Sequence, residues 1–283
     1  MNLAIKNFLA RFANSGSGER VLRPVRKLSS GLDALITYTD RQRSTGARED
    51  LKSMLLRREF PDLTVLNGPL TGLKYADAIA SGSAFLPKLL GSYESEIADF
   101  IERAITRNPT DVVDVGSAEG YYAIGLALRL PKAEIHAFDV DAHARQLCQR
   151  MADLNGVSDR LHLREFCDPE ALAALPYKGR ALIFSDCEGY EETLFSEASV
   201  AACAPHDLII ECHDFKSPTI STGIRTAFAK THNIFAVQSM PTYQKAHEAN
   251  WPQMKPYNFE IQKFMVDEAR RVPVVWLYLQ SKQ

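Results

Sequence analysis

Between Asp111 and Asp139, glycines and aspartates stand at the spacing that a nucleoside-binding turn needs. Val112-Val113-Asp114-Val115 is an apolar run broken by one carboxylate, and Gly116-Ser117-Ala118-Glu119-Gly120-Tyr121-Tyr122 follows as a tight turn into a helical pattern. A strand, a glycine turn and a helix N-terminus in succession present free backbone N–H groups at the carboxyl end of a parallel sheet, and glycine lets the backbone approach a ligand closely. Asp139 closes the next apolar run, twenty-three residues beyond Gly116. A carboxylate there can accept hydrogen bonds from both hydroxyls of a ribose.

The turn discriminates among nucleosides. A dinucleotide fingerprint, G-x-G-x-x-G counted from Gly116, fails at Ala118 and at Tyr121, and no G-x-x-x-x-G-K-[ST] occurs. Asp114 would repel a pyrophosphate but attract the ammonium and sulfonium of S-adenosylmethionine (SAM). SAM is therefore the expected cofactor, with Asp114, Gly116, Ser117, Ala118, Glu119, Gly120, Tyr121, Asp139 and Val140 around it. Asp168, in Phe166-Cys167-Asp168, is a candidate acceptor for the adenine amino group, and Asp186 for the methionine amino group. Helix capping is the structural alternative for Asp139 or Asp141 before Ala142, and for Asp168 before Pro169. The rival readings are an NAD(P)-dependent oxidoreductase on the same fold and a non-catalytic SAM-binding protein.

Methyl transfer is an in-line displacement that needs alignment and, for an alcohol, removal of a proton. His213, Asp186 and Glu188 are the catalytic candidates, because they follow the fourth and fifth apolar runs, whose carboxyl ends face the reaction centre. His213 suits a general base that titrates near neutrality, with a structural strand-end histidine as the alternative. Asp186 could hold the acceptor hydroxyl or cap a helix, and Glu188 could orient the acceptor or build a turn. Asp186 with Asp214 is the candidate pair for a divalent metal, a use that is not favoured because the Asp-Asn pair of metal-dependent enzymes with a similar layout is replaced by His213-Asp214-Phe215. Tyr121, Tyr122, Tyr190 and the Trp251 loop are candidate walls for the acceptor.

The elements that must position these groups follow from the hydrophobic pattern. From about residue 110, short apolar runs alternate with helical ones: 111–115, 134–138, 161–163, 181–184, 208–212, 234–240 and 274–280 are the expected strands. That rhythm predicts an α/β fold, a Rossmann-like, seven-stranded and mostly parallel sheet with helices on both faces. Residues 142–154 read as a helix stopped by Asn155-Gly156, and 49–58 as one that Pro61 stops. Residues 1–90 are expected to form a helical extension or lid and 91–283 the catalytic domain. The long connection 241–272 is expected at the carboxyl edge.

Composition narrows the partners. The 283 residues carry a formal charge of −2, with 46% hydrophobic and 24% charged residues, which fits a globular enzyme and gives no whole-chain argument for nucleic acid. Twelve Lys/Arg against six Asp/Glu in residues 1–60 make that stretch basic. The Asn/Asp-Pro-Pro-aromatic signature of amino-methylating enzymes is missing after Asp186. Five scattered cysteines without a CxxC pair fit a reducing cytoplasm, and the N-terminal apolar run is too short for a transmembrane segment. A homo-oligomer is compatible with the sequence.

Three segments resemble the FkbM-type family of class I SAM-dependent methyltransferases over roughly residues 65–283: the turn from Asp114 to Tyr122, Asp186-Cys187-Glu188-Gly189-Tyr190-Glu191 as the family's D-x-E-G-x-E, and Ile209-Ile210-Glu211-Cys212-His213. Gly68-Pro69-Leu70-Thr71-Gly72 and Pro87 to Glu94 are similar to the first part of one bacterial branch. The family commonly carries Asn where Ala118 stands. The resemblance implies O-methylation of a hydroxyl on a sugar, glycan or secondary-metabolite-like acceptor.

Overall fold

The computed structural model describes residues 46–283. The chain divides into two compact units, Met1–Arg58 and Glu59–Gln283. In the first, residues 46–58 are helical, and the rest of the basic N-terminal stretch lies outside the described residues. The second unit therefore begins upstream of residue 90. Its first part, 59–84, is largely irregular, with one isolated bridge between Thr64 and Lys74.

Seven strands form one sheet: β1 Asp111–Val115, β2 Glu134–Phe138, β3 Leu161–Arg164, β4 Ala181–Ser185, β5 Asp207–Cys212, β6 His232–Gln238 and β7 Val275–Ser281. Their order is β3-β2-β1-β4-β5-β7-β6. Pairing is parallel from β3 through β5, and β7 runs antiparallel to both neighbours. This is a Rossmann-like fold. The central strands β1, β4 and β5 are buried at every position, which is why they read as largely apolar runs, interrupted in β1 by Asp114 and in β5 by Glu211, whereas the edge strand β3 alternates between half-buried and exposed.

Chain order reverses between β1 and β4, so a crevice opens outside their carboxyl ends. The helix Tyr121–Arg129 follows β1, and Ala142–Asn155 follows β2, ending at Gly156 with φ 67°. The connection 241–272 contains two short helices, Thr242–Glu248 and Phe259–Met265, and returns to the carboxyl edge before β7.

Candidate functional site

A cleft of about 570 Å³ lies at that edge, lined from the Gly116 turn, the ends of β2, β4 and β5, the Ser81–Ser83 segment and residues 268–274. Its floor depends on Gly116. This residue has φ 89°, and a Cβ on it would lie 1.9 Å from the Asp186 carbonyl oxygen, so the ends of β1 and β4 approach as closely as they do only around glycine. The N–H groups of Gly116 and Ser117 both donate to Phe138 O at 2.9 Å, and Asp186 N donates to Val115 O at 3.0 Å. Ser117, Ala118 and Tyr121 also line the cleft.

Asp139 stands at the mouth of this turn. Its carboxylate accepts from Ala118 N at 2.7 Å and from Asp141 N at 2.8 Å. Helix capping falls instead to Asp141, which accepts from His143 N at 2.8 Å. Asp139 is thus fixed by backbone while retaining lone pairs toward the cleft. Beside it, Val140 is 70% and Phe166 51% exposed, two apolar surfaces bordering one cavity, with Phe166 tilted against Tyr190 at 5.4 Å. A flat heteroaromatic ring fits such a place.

Other residues expected at the cofactor are elsewhere engaged. Asp114 is buried beneath the turn and does not line the cleft; burial pushes its carboxyl up to about 7, against the Ala123 N–H that it accepts. Glu119 also faces away from the cleft: it accepts from Lys88 Nζ at 2.6 Å, Tyr75 OH at 3.1 Å and Ser81 N at 2.9 Å, tying the lead-in segment to the turn. Gly120, with φ 97°, opens the helix at Tyr121. Asp168 caps the helix Pro169–Ala173 through Ala171 N at 2.7 Å and lies outside the cleft lining, which its neighbours Phe166 and Cys167 join.

In the same cleft, beside the Gly116 turn, Asp186, Glu211 and His213 converge. His213 Nε2 lies 3.5 Å from Asp186 Oδ1 and 3.7 Å from Glu211 Oε2. Its Nδ1 meets the fully buried Glu191 at 2.8 Å. Burial opposes a charged imidazole, but the Glu191 hydrogen bond and the Glu191, Glu211 and Glu188 carboxylates outweigh it and raise His213 above its ordinary value. Burial also pushes Asp186 up to about 7 and, with the adjacent Asp186, carries Glu211 well above the carboxylate range. Glu188 has φ 57°, points to the rim and pairs with Lys216 Nζ at 2.6 Å, 3.9 Å from His213 Nε2.

Asp214 is not part of this cluster. Its carboxylate accepts from Ser221 N at 2.8 Å, at the start of the helix Ile220–Phe228, so the partner expected for Asp186 is replaced by Glu211. The aromatic wall is built from Tyr121, Tyr122, Tyr190, Tyr93 and Phe215; Trp251 is absent from the lining.

Sequence reasoning gave no role to Glu211, Glu191, Arg270 or Lys88. Glu211 had a signal: it is a charged residue inside an apolar strand, two positions before His213, and alternation puts both on one side. Arg270 had none, since it arrives from the long connection to bind Glu211, Glu94 and Glu268.

No family model matches the chain. Over 63 residues it is 46% identical to the release factor glutamine methyltransferase of Chlorobaculum tepidum. That stretch is 22% of this chain and 20% of the other, so the match spans a fifth of the curated relative's length. Similar solved structures include the precorrin-6y C5,15-methyltransferase of Geobacter metallireducens, at 14% identity and TM-score 0.43 over 64% of this chain and 87% of that one. The O-methyltransferase TomG of Streptomyces achromogenes, in complex with SAM, aligns at 14% identity and TM-score 0.43 over 64% of this chain and 77% of that one.

Proposed function

We propose that this chain is a SAM-dependent methyltransferase acting on an oxygen nucleophile of a small molecule or glycan. The observation that carries the reading is a single cleft joining the Gly116 turn and Asp139 to the Asp186–Glu211–His213 cluster. The local identity to a methyltransferase supports it, and so does the motif resemblance to the FkbM-type family, which is the subfamily proposed.

The residues present fit the cofactor. Gly116 leaves backbone where a side chain would obstruct, Val140 and Phe166 offer apolar surface to an adenine, and Asp139 accepts from ribose hydroxyls. When bound, SAM supplies an electrophilic methyl group on a sulfonium. His213 Nε2 takes the acceptor's proton, and Glu191 holds the ring and stabilises the imidazolium that results. Asp186 and Glu211 orient the acceptor hydroxyl toward the donor end of the cleft. Tyr93, Tyr122 and Phe215 exclude water around it.

Calorimetric titration with SAM, S-adenosylhomocysteine and NADH tests the reading. Micromolar binding of SAM or its product is expected, weakened at least tenfold, about 1.4 kcal/mol, by Asp139→Ala. Absence of that binding, or a preference for NADH, overturns it.

A further inference from the structure

We propose that Asp186, Glu211 and His213 form a binding site for one divalent transition-metal cation, Zn²⁺ or Mn²⁺, on the acceptor side of the cleft. One atom from each of the three side chains lies within 4.8 Å of the others. The separations of His213 Nε2 from Asp186 Oδ1, 3.5 Å, and from Glu211 Oε2, 3.7 Å, approach what a shared ion demands. Ligands at roughly 2.1 Å from one ion are about 3.0 Å apart at a right angle and about 3.4 Å apart at the tetrahedral angle.

Two further features point to a ligand here. His213 is 97% buried by its 3% exposure, its Nδ1 is engaged by the buried Glu191, and its Nε2 makes only contacts of 3.5 Å or longer toward the carboxylates. A carboxylate fixing one ring nitrogen so that the other offers its lone pair is the arrangement that orients metal-bound histidines. Asp186 Oδ1 is itself buried and its carboxyl group stands beside that of Glu211, an acidic pair that a cation would bridge. Arg270 engages Glu211 through Oε1, which leaves Oε2 toward the cluster.

The imidazole selects the ion. Oxygen-only sites suit Mg²⁺ and Ca²⁺, whereas one imidazole with two carboxylates suits Zn²⁺ or Mn²⁺. The three ligands leave coordination positions open to the cleft. The site stands on this geometry alone; its role rests on the methyltransferase reading. There, the cation would polarise the acceptor hydroxyl; with Nε2 on the ion, His213 would no longer take the proton as it does in the metal-free reading, and the proton would pass to the exposed Glu188 carboxylate, 3.9 Å from Nε2.

The test is calorimetric titration of the chelator-treated full chain with ZnCl₂, MnCl₂ and MgCl₂, each with and without S-adenosylhomocysteine. One-to-one binding of Zn²⁺ or Mn²⁺ at least tenfold tighter than Mg²⁺ is expected. His213→Ala and Glu211→Gln should each weaken it at least tenfold, and Asp214→Asn should leave it unchanged. Because a variant can fail to fold, ¹⁵N NMR of the wild-type imidazoles under Zn²⁺ supplies a second readout, with His213 Nε2 expected to shift. No binding, binding that survives both ligand substitutions, or an unshifted Nε2 overturns the site. S-adenosylhomocysteine binding without metal binding sinks the site and leaves the methyltransferase reading intact; the reverse result sinks the reading alone.

Discussion

Ala118 occupies the left-handed region at φ 47°, a conformation that is unfavourable for alanine and readily adopted by asparagine. The Asn common at this position in the resembled family thus has a backbone reason. Ala118→Asn is expected to raise the unfolding free energy by about 0.5–1 kcal/mol, measurable by thermal melting of the ligand-free protein; an unchanged or lower melting temperature refutes the strain argument. Legibility at this scale followed locality. That Gly116, Asp139 and His213 border one cleft was readable because a glycine turn and strand ends are local features of the sequence. The cap that Asp168 forms was legible as an alternative from the Pro169 that follows it, whereas the Asp214 bond to Ser221 N and the internal pairing of Glu119 were not, because a carboxylate's distant partner is chosen by tertiary packing.

Among the elements, the short helix Phe85–Leu90 is held to the cofactor turn by Lys88, whose ammonium and the Glu119 carboxylate form a buried pair at 2.6 Å. Lys88 also lies over the Tyr93 and Tyr121 rings at 4.9 and 5.1 Å. Removing one member leaves an uncompensated buried charge, so Lys88→Met and Glu119→Gln should each lower stability by about 3 kcal/mol. The double variant should lose clearly less than their sum, as read by urea unfolding; additive losses would show that the pair is not coupled. Strands β1 and β2 coincide with their sequence expectations, since continuous burial leaves one interpretation. β6 is displaced from its expected 234–240 to His232–Gln238, because a half-exposed strand carries polar residues that blur its ends. The connection 241–272 was legible as belonging to the carboxyl edge, but the residues it delivers, Glu268 and Arg270 to Val272, are not the aromatic ones that drew attention to it.

Across the whole molecule, four equally buried histidines divide by partner. His213, held by Glu191 among other carboxylates, is raised, whereas burial lowers His206, His136 and His232. Burial holds His206 down at about 4, and its Nδ1 accepts from Ala181 N at 3.1 Å, a bond that requires the neutral ring. Between about pH 6.5 and 4 the unfolded chain therefore binds a proton that the folded chain refuses, so stability is full above the window and falls with acidification. A loss on the order of 2 kcal/mol from this group is expected on going from about pH 7 to about pH 4.5. Urea titrations at both values check it, and His206→Gln, which keeps an acceptor but does not titrate, should flatten the slope; an unchanged slope would assign the acid sensitivity elsewhere. The sheet has one more property at this scale. β5 and β6 are joined laterally through β7, which is made after both. During synthesis β6 has no lateral partner until residues 275–281 leave the ribosome, so the nascent chain exposes the edge of β5 for the time needed to add that segment. Ribosome-stalled chains ending before Val275 should therefore recruit chaperones that the released 283-residue chain does not.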